Sequence, residues 1–220
     1  MAKPRSYKLL CPVARGLDRI GDRWTLLILR DLHAGPARFT DLQRGLTGIA
    51  ANLLTERLVK LVADGLVEKA DGAHGASLYS LTVLGRKTRD ILFELAMFGG
   101  RFPAEGDIVE PGNLRTVAFT MGAAAHRVAP DNVDLRAALI VDGEEMILKV
   151  ENGGASVEYG RAENPDLVFR TRYHALLSVA EGEMSQEEFV KNNSELEVYK
   201  SGQEQPFLQV MSDIMTLLRA

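Results

Sequence analysis

The stretch GIAANLLTERLVKLVADGLV, Gly48 to Val67, holds the side chains best suited to reading base edges. At 100° per residue, Leu54, Leu58, Leu61 and Val62 fall on one face of a helix. Asn52, Thr55, Glu56, Val59 and Lys60 fall on the opposite side. An outward asparagine has the donor and acceptor for a bidentate bond to adenine; a threonine offers a hydroxyl to phosphate or a methyl to thymine. Arg57 lies at the edge of the apolar face, where it either faces DNA or pairs with a carboxylate inside the domain. Arg38, Arg44 and Lys60 are candidates for phosphate neutralisation, which supplies affinity rather than sequence choice. The alternative for each is a solvated surface charge. Thr40, just before this stretch, and His74, in a glycine-rich tip just after it, complete the set, although a loop histidine is often simply exposed.

One other residue could do chemistry. Cys11, the single cysteine, stands at the start of a helical segment with Lys8 and Arg15 nearby. Such a position favours thiol reactivity, and one cysteine per chain allows an inter-subunit or a mixed disulfide. The alternative is a small residue buried at a subunit contact. The four histidines, His33, His74, His126 and His174, show no metal-ligand spacing. No Ser-His-Asp set or paired carboxylates stand out, so the sequence predicts neither an enzyme nor a cofactor or metal.

These residues must be positioned by elements, and the charge distribution shows where. Residues 1–104 hold 16 Lys and Arg against 10 Asp and Glu, net +6; residues 105–220 hold 10 against 20, net −10. A basic half beside an acidic one suits a nucleic-acid partner for the first or two domains that merely differ. The segment GGRFPAEGDIVEPGN, Gly99 to Asn113, reads as a linker. The predicted division is 1–104, a linker at 105–113, and 114–220. No run of eighteen apolar residues exists and no signal peptide is read, so a cytoplasmic protein is expected.

In the first half, Pro12 to Ile20 reads as a short helix. Asp22 caps RWTLLILRDLHA, and Gly35 ends it. Thr40 and Gln43 fit a capping box for a third helix that runs to about Gly45. The opening stretch follows, closed by Gly65. GLVEKADGAHGASLYSLT gives two short strands around the tip, and Thr82 caps one long helix, VLGRKTRDILFELAMFG. This order is a winged helix-turn-helix, which places its second helix in the major groove.

The segment CPVARGLDRIGDRWTLLILRDLHAGPARFTDLQRGLTGIAANLLTERLVKLVADGLV, with YSLTVLGRK beyond it, resembles the HxlR family of bacterial transcription regulators over roughly the first hundred residues. That family is similar to MarR-type proteins, and the resemblance implies double-stranded DNA as partner and a homodimer. It also implies that Pro12–Ile20 and Val83–Phe98 pair the subunits, and that a cysteine placed like Cys11 senses oxidants or electrophiles in some members. The chain departs from the pattern where Ala50 and Ala51 replace the hydroxyl residue that often opens the recognition helix. Its wing tip, ADGAHGAS, lacks the usual basic and proline residues.

In the second half, Leu139 and Val141, then Met146, Leu148 and Val150, then Val157 and Tyr159 alternate around glycine turns, predicting an antiparallel meander. TRYHALLSVAEG reads as a helix, SQEE caps a short one at Ser185, SELEVYK is a strand, and QPFLQVMSDIMTLLRA is an amphipathic helix. The order resembles the sterol carrier protein type-two fold. The resemblance implies an apolar tunnel between sheet and helices, with Phe119, Met146, Phe169, Leu176, Phe189, Phe207 and Met211 as candidate lining. The plainer reading of those side chains is core.

The fold class expected is therefore α+β: a winged helix-turn-helix domain followed by an α/β sandwich with an antiparallel sheet. The function expected is a homodimeric regulator on a palindromic operator, tuned by a small hydrophobic ligand. Two alternatives stand beside it: a hydrophobic-ligand carrier with a helical docking module, and a thiol switch through Cys11.

Overall fold

Pro12 at its first position starts α1 (Pro12–Ile20), since a helix start has no use for the missing N–H. Asp22 opens α2 (Arg23–His33) by accepting from the amides of Trp24 and Thr25 at 3.0 and 3.3 Å. The computed structural model describes residues 6–71, 77–103 and 110–219. Among these, β1 (Ala37–Arg38) and α3 (Phe39–Gly45) come next. The capping box expected at Thr40 and Gln43 is replaced. The helix starts at Phe39, and Asp41 in its first turn takes the Arg38 amide at 3.0 Å. A charged carboxylate one turn from the cap is the stronger acceptor.

The opening stretch forms α4 (Ala51–Ala63). Gly65 and Leu66 end it by donating to the carbonyls of Val62 and Leu61, both at 3.0 Å. Leu54, Leu58 and Leu61 are buried as expected, but Val62 is 39% exposed. Eight residues on from Leu54 it lies roughly 80° off the centre of the buried face, so the face is narrower than the sequence suggests. The wing strands β2 (Val67–Asp71) and β3 (Ser77–Leu81) pair antiparallel from Val67↔Leu81 to Asp71↔Ser77. β1 adds to the far side of β3, giving the order β1-β3-β2.

The single long helix expected after Thr82 is two: α5 (Val83–Arg86) and α6 (Thr88–Gly99). Thr82 does cap the first, accepting from Gly85 N at 3.0 Å. Thr88 Oγ1 then donates to Gly85 O at 2.7 Å, occupying the carbonyl a continuous helix would offer to residue 89. Ile28, Leu29, Leu42, Leu54, Leu58 and Leu61 are each at most 1% exposed and form the centre of this unit's core. Each contributes about 1.5–3 kcal/mol by leaving water.

The chain divides into two units. Met1–Leu92 makes the bulk of the first and Asn113–Ala220 the bulk of the second, and the boundary falls within α6, between Leu92 and Phe93. Beyond the end of α6, the second unit continues with α7 (Arg115–Val128), a helix the sequence reading omits. Three antiparallel strands follow: β4 (Leu135–Val141), β5 (Glu144–Glu151) and β6 (Gly154–Tyr159). Their turns, Asp142-Gly143 and Asn152-Gly153, have positive φ at both residues, the hairpin geometry that matches strand twist.

Then come β7 (Leu167–Thr171), α8 (Tyr173–Ala180), α9 (Gln186–Asn192), β8 (Ser194–Val198) and α10 (Glu204–Leu218). The sheet order is β6-β5-β4-β7-β8. It is not wholly antiparallel as expected: β7 runs parallel to β4, from Ala137↔Leu167 to Val141↔Thr171. After β6 the chain crosses to the free edge of β4 instead of turning back as a hairpin, and that crossover fixes the parallel sense. α7 packs on β6, and α10 packs on β4 and α7.

Candidate nucleic-acid interface and apolar cavity

α4 presents one consistent outward surface. Ala50, Ala51, Asn52, Thr55 and Glu56 are exposed, as is Val59. Ala50 stands at the cap with no side-chain bond to the first turn, so amides there stay available to an anion. The Asn52 amide makes no hydrogen bond among the described residues. Thr55 Oγ1 donates to Ala51 O at 2.9 Å, which spends the hydroxyl's proton on the helix and leaves the oxygen to act only as an acceptor.

The arginine and lysine of α4 have partners inside the unit. Arg57 Nη2 donates to Asp22 Oδ2 at 3.1 Å, with Nε 3.0 Å from Asp22 Oδ1, and Nη1 donates to Glu56 Oε1 at 2.8 Å. Its side chain is 19% exposed, so of the two readings open in the sequence the ion pair is the one formed. Burial raises the Asp22 carboxyl, but the Arg57 bonds and the Thr25 and Trp24 amides outweigh it and hold the group below the usual range. Lys60 Nζ donates to Asp18 O and Arg19 O at the end of α1.

Arg38, Thr40 and Arg44 are exposed on β1 and α3, and neither arginine has an ionic partner among the described residues. His74 lies outside the described residues. Two exposed basic residues escaped the sequence reading. Lys69 on β2 sits 5.9 Å above the Tyr79 ring, and Arg23 at the start of α2 sits 5.3 Å over Trp24. For Arg23 the adjacent Trp24 was the available signal; Lys69 meets Tyr79 only through the β2–β3 register, which no sequence spacing shows. Cys11 is exposed, at the position preceding α1. Among the described residues, no group of His, Cys, Asp and Glu is arranged to hold a metal ion, and no helix is long and apolar enough to cross a membrane.

In the second unit, a cavity of about 460 Å³ opens between β7, α8, α9 and α10. Phe169, Val179, Phe189, Val190, Leu208, Met211 and Met215 line it, with Gln186, Glu187, Lys191 and Ser212 as the polar members. A second cavity of about 180 Å³, between α7, α8 and α10, is lined by Leu176 and Met121 among others, and Met215 borders both. Of the seven candidate lining residues, Phe169, Phe189 and Met211 meet in the larger cavity and Leu176 in the smaller. Phe119, Met146 and Phe207 line neither and are at most 3% exposed. Phe207 packs against one of the lining residues, its ring 5.3 Å from that of Phe169.

Residues 19–106 match the HxlR-like helix-turn-helix family. The chain is 36% identical over 115 residues to the uncharacterized HTH-type transcriptional regulator YkvN of Bacillus subtilis (strain 168), covering 49% of this chain and 98% of that protein. It is 37% identical over 92 residues to the uncharacterized HTH-type transcriptional regulator Rv3095 of Mycobacterium tuberculosis, covering 41% of this chain and 58% of that protein. A solved structure of the redox regulator HypR in its oxidized form is 30% identical, with 43% of this chain and all of that one covered and a TM-score of 0.41.

Proposed function

We infer the function from one premise: this chain belongs to the HxlR-like helix-turn-helix family of DNA-binding transcriptional regulators. It binds a palindromic or near-palindromic operator as a homodimer, with one α4 entering each of two successive major-groove faces. The observation that carries this reading is the divided surface of α4, with Leu54, Leu58 and Leu61 inward and Asn52, Thr55, Glu56 and Val59 outward. Asn52 reads a base edge; Arg38 and Arg44 neutralise phosphate. The homodimer is supported by apolar surface that a monomer has no reason to show. Leu10 is 95% exposed and Val13 70%, and α6 exposes Ile91, Leu95 and Phe98.

Asn52→Ala tests the base-reading role. A bidentate pair is worth about 1–3 kcal/mol of discrimination, so affinity for the cognate operator should fall roughly 5- to 150-fold, and affinity for random DNA should hardly change. Equal loss on both DNAs would mean that Asn52 does not read bases.

The second unit takes a small hydrophobic molecule, in keeping with its resemblance to sterol carriers. The support is the larger cavity, whose size suits a ligand and whose lining is mostly apolar side chains. Such a ligand changes DNA affinity only insofar as it favours one dimer arrangement over another. A panel of lipids and aromatic compounds should contain one that raises the melting temperature. At a hundredfold excess over Kd the stabilisation is about 2.7 kcal/mol. Val190→Trp, which fills the cavity from an exposed position, should abolish that shift. No shift with any compound, and no small molecule retained in native mass spectrometry, would count against the ligand.

A further inference from the structure

By helical spacing Lys60 belongs to the DNA-facing side of α4, and a cation there is expected on phosphate. Its ammonium is committed elsewhere. Lys60 Nζ donates to Asp18 O at 2.9 Å and to Arg19 O at 3.0 Å, two carbonyls at the C-terminal end of α1. These carbonyls are the negative end of the helix dipole, where a cation is stabilised. The same ammonium lies 3.8 Å from Asp64 Oδ2, just past the end of α4. Asp64 Oδ1 in turn takes Arg19 Nη1 at 2.7 Å. Two of the ammonium's three protons are thus bonded to α1 carbonyls, with the Asp64 carboxylate beside them as a counter-charge.

The bonding continues beyond α1. The Asp18 carboxylate accepts from Ser6 Oγ at 2.8 Å and from Tyr7 N at 3.0 Å. The segment leading to Cys11 is thus held to the same turn of α1 that holds α4. α1 and its approach carry Leu10 and Val13, assigned above to the subunit contact, and expose Leu9 and Leu17 beside them.

We propose that Lys60 and Asp64 are positioning residues that brace α4 against the end of α1, so that the subunit contact sets the angle and spacing at which the two recognition helices meet DNA. Lys60 then contributes to operator choice without touching a phosphate. This rests on the homodimeric DNA-binding reading given above.

The test compares the full-length protein with K60M and D64N, on the operator and on random DNA, across a salt series. The brace predicts that K60M loses about tenfold or more in affinity for the operator, as expected for lost charge-assisted bonds, with random DNA little affected. The slope of log Kd against log salt stays that of the unsubstituted protein, because no phosphate contact is lost. D64N discriminates further. Removing a negative charge near DNA should tighten binding if charge alone matters, whereas the brace predicts weaker operator binding. Both variants are measured at temperatures where circular dichroism shows them folded. The brace is overturned if K60M weakens both DNAs alike and flattens the slope by nearly two per dimer, the signature of two lost phosphate contacts. It is also overturned if D64N binds the operator as well as or better than the unsubstituted protein. If the unsubstituted protein shows no salt-dependent DNA binding at all, the proposed function itself fails, and the brace with it.

Discussion

Gly85→Ala should destabilise the first unit by about 3 kcal/mol, lowering its melting temperature by roughly 15 °C. A β-carbon at this position would lie 2.0 Å from Leu66 O, 3.0 Å from Leu66 C and 3.2 Å from Leu81 Cδ2. The first two are backbone atoms and cannot swing aside as a side chain does. Leu66 is also held at both ends of its peptide. Its N–H donates to Leu61 O at 3.0 Å, closing α4, and its carbonyl accepts from Thr82 N at 3.1 Å and Thr82 Oγ1 at 3.3 Å. Displacing it therefore strains the end of the recognition helix and the base of the wing together. Thermal unfolding of the full chain followed by circular dichroism checks this, and a first transition within about 2 °C of the unsubstituted protein would contradict it.

The second large effect is on acid stability and comes from His33. Burial is the main reason its imidazole is pushed down to about 4, with Arg89 and Arg86 adding to the shift and Asp90 opposing it. The ring also has a fixed task. Thr88 gives its proton to Gly85 O, so its oxygen accepts from His33 Nε2 at 3.0 Å, which requires the tautomer protonated at Nε2. The folded pKa lies below the unfolded value of 6.5, so between pH 6.5 and pH 4 the unfolded chain holds a proton that the folded chain refuses. Stability is therefore full above pH 6.5 and falls as the pH drops toward 4, by roughly 3 kcal/mol in all. Between pH 7.5 and pH 5 the share due to this residue is roughly 2 kcal/mol. His33→Gln keeps a hydrogen-bonding side chain and removes the titration. Urea unfolding at the two pH values should show a smaller loss in the variant by about that amount. Parallel losses would mean that His33 does not govern the acid limb.

The first unit was legible because its helices announce their ends. Asp22 and Thr82 cap where expected, Pro12 starts α1, and Gly65 with the Leu54, Leu58 and Leu61 face delimits α4. α7 was not legible for a physical reason. Ala118, Phe119, Met121, Gly122, Ala123, Ala124 and Ala125 are all buried and lie all round the helix, so it shows no spaced apolar stripe. Two-residue β1 is too short to show a period. Leu139 and Val141 alternate in β4, and β7 is an apolar run, but neither pattern names a neighbouring strand, so the parallel β4–β7 pair stayed hidden.

The candidate sites follow the same division. Periodicity placed Asn52 and Thr55 outward, yet it could not tell that the long side chains of Arg57 and Lys60 reach back to Asp22 and to the end of α1. Likewise an inward aromatic looks the same in sequence whether it meets a cavity, as Phe169 and Phe189 do, or another side chain, as Phe207 does.

Hydroxyl-radical footprinting of the full-length protein on an operator taken from genomic binding-site mapping tests the central claim most directly. A homodimer reading DNA through α4 should protect two symmetry-related half-sites whose centres lie about one helical turn, roughly 10 base pairs, apart. A single unpaired half-site, or uniform protection without any preferred sequence, would contradict it.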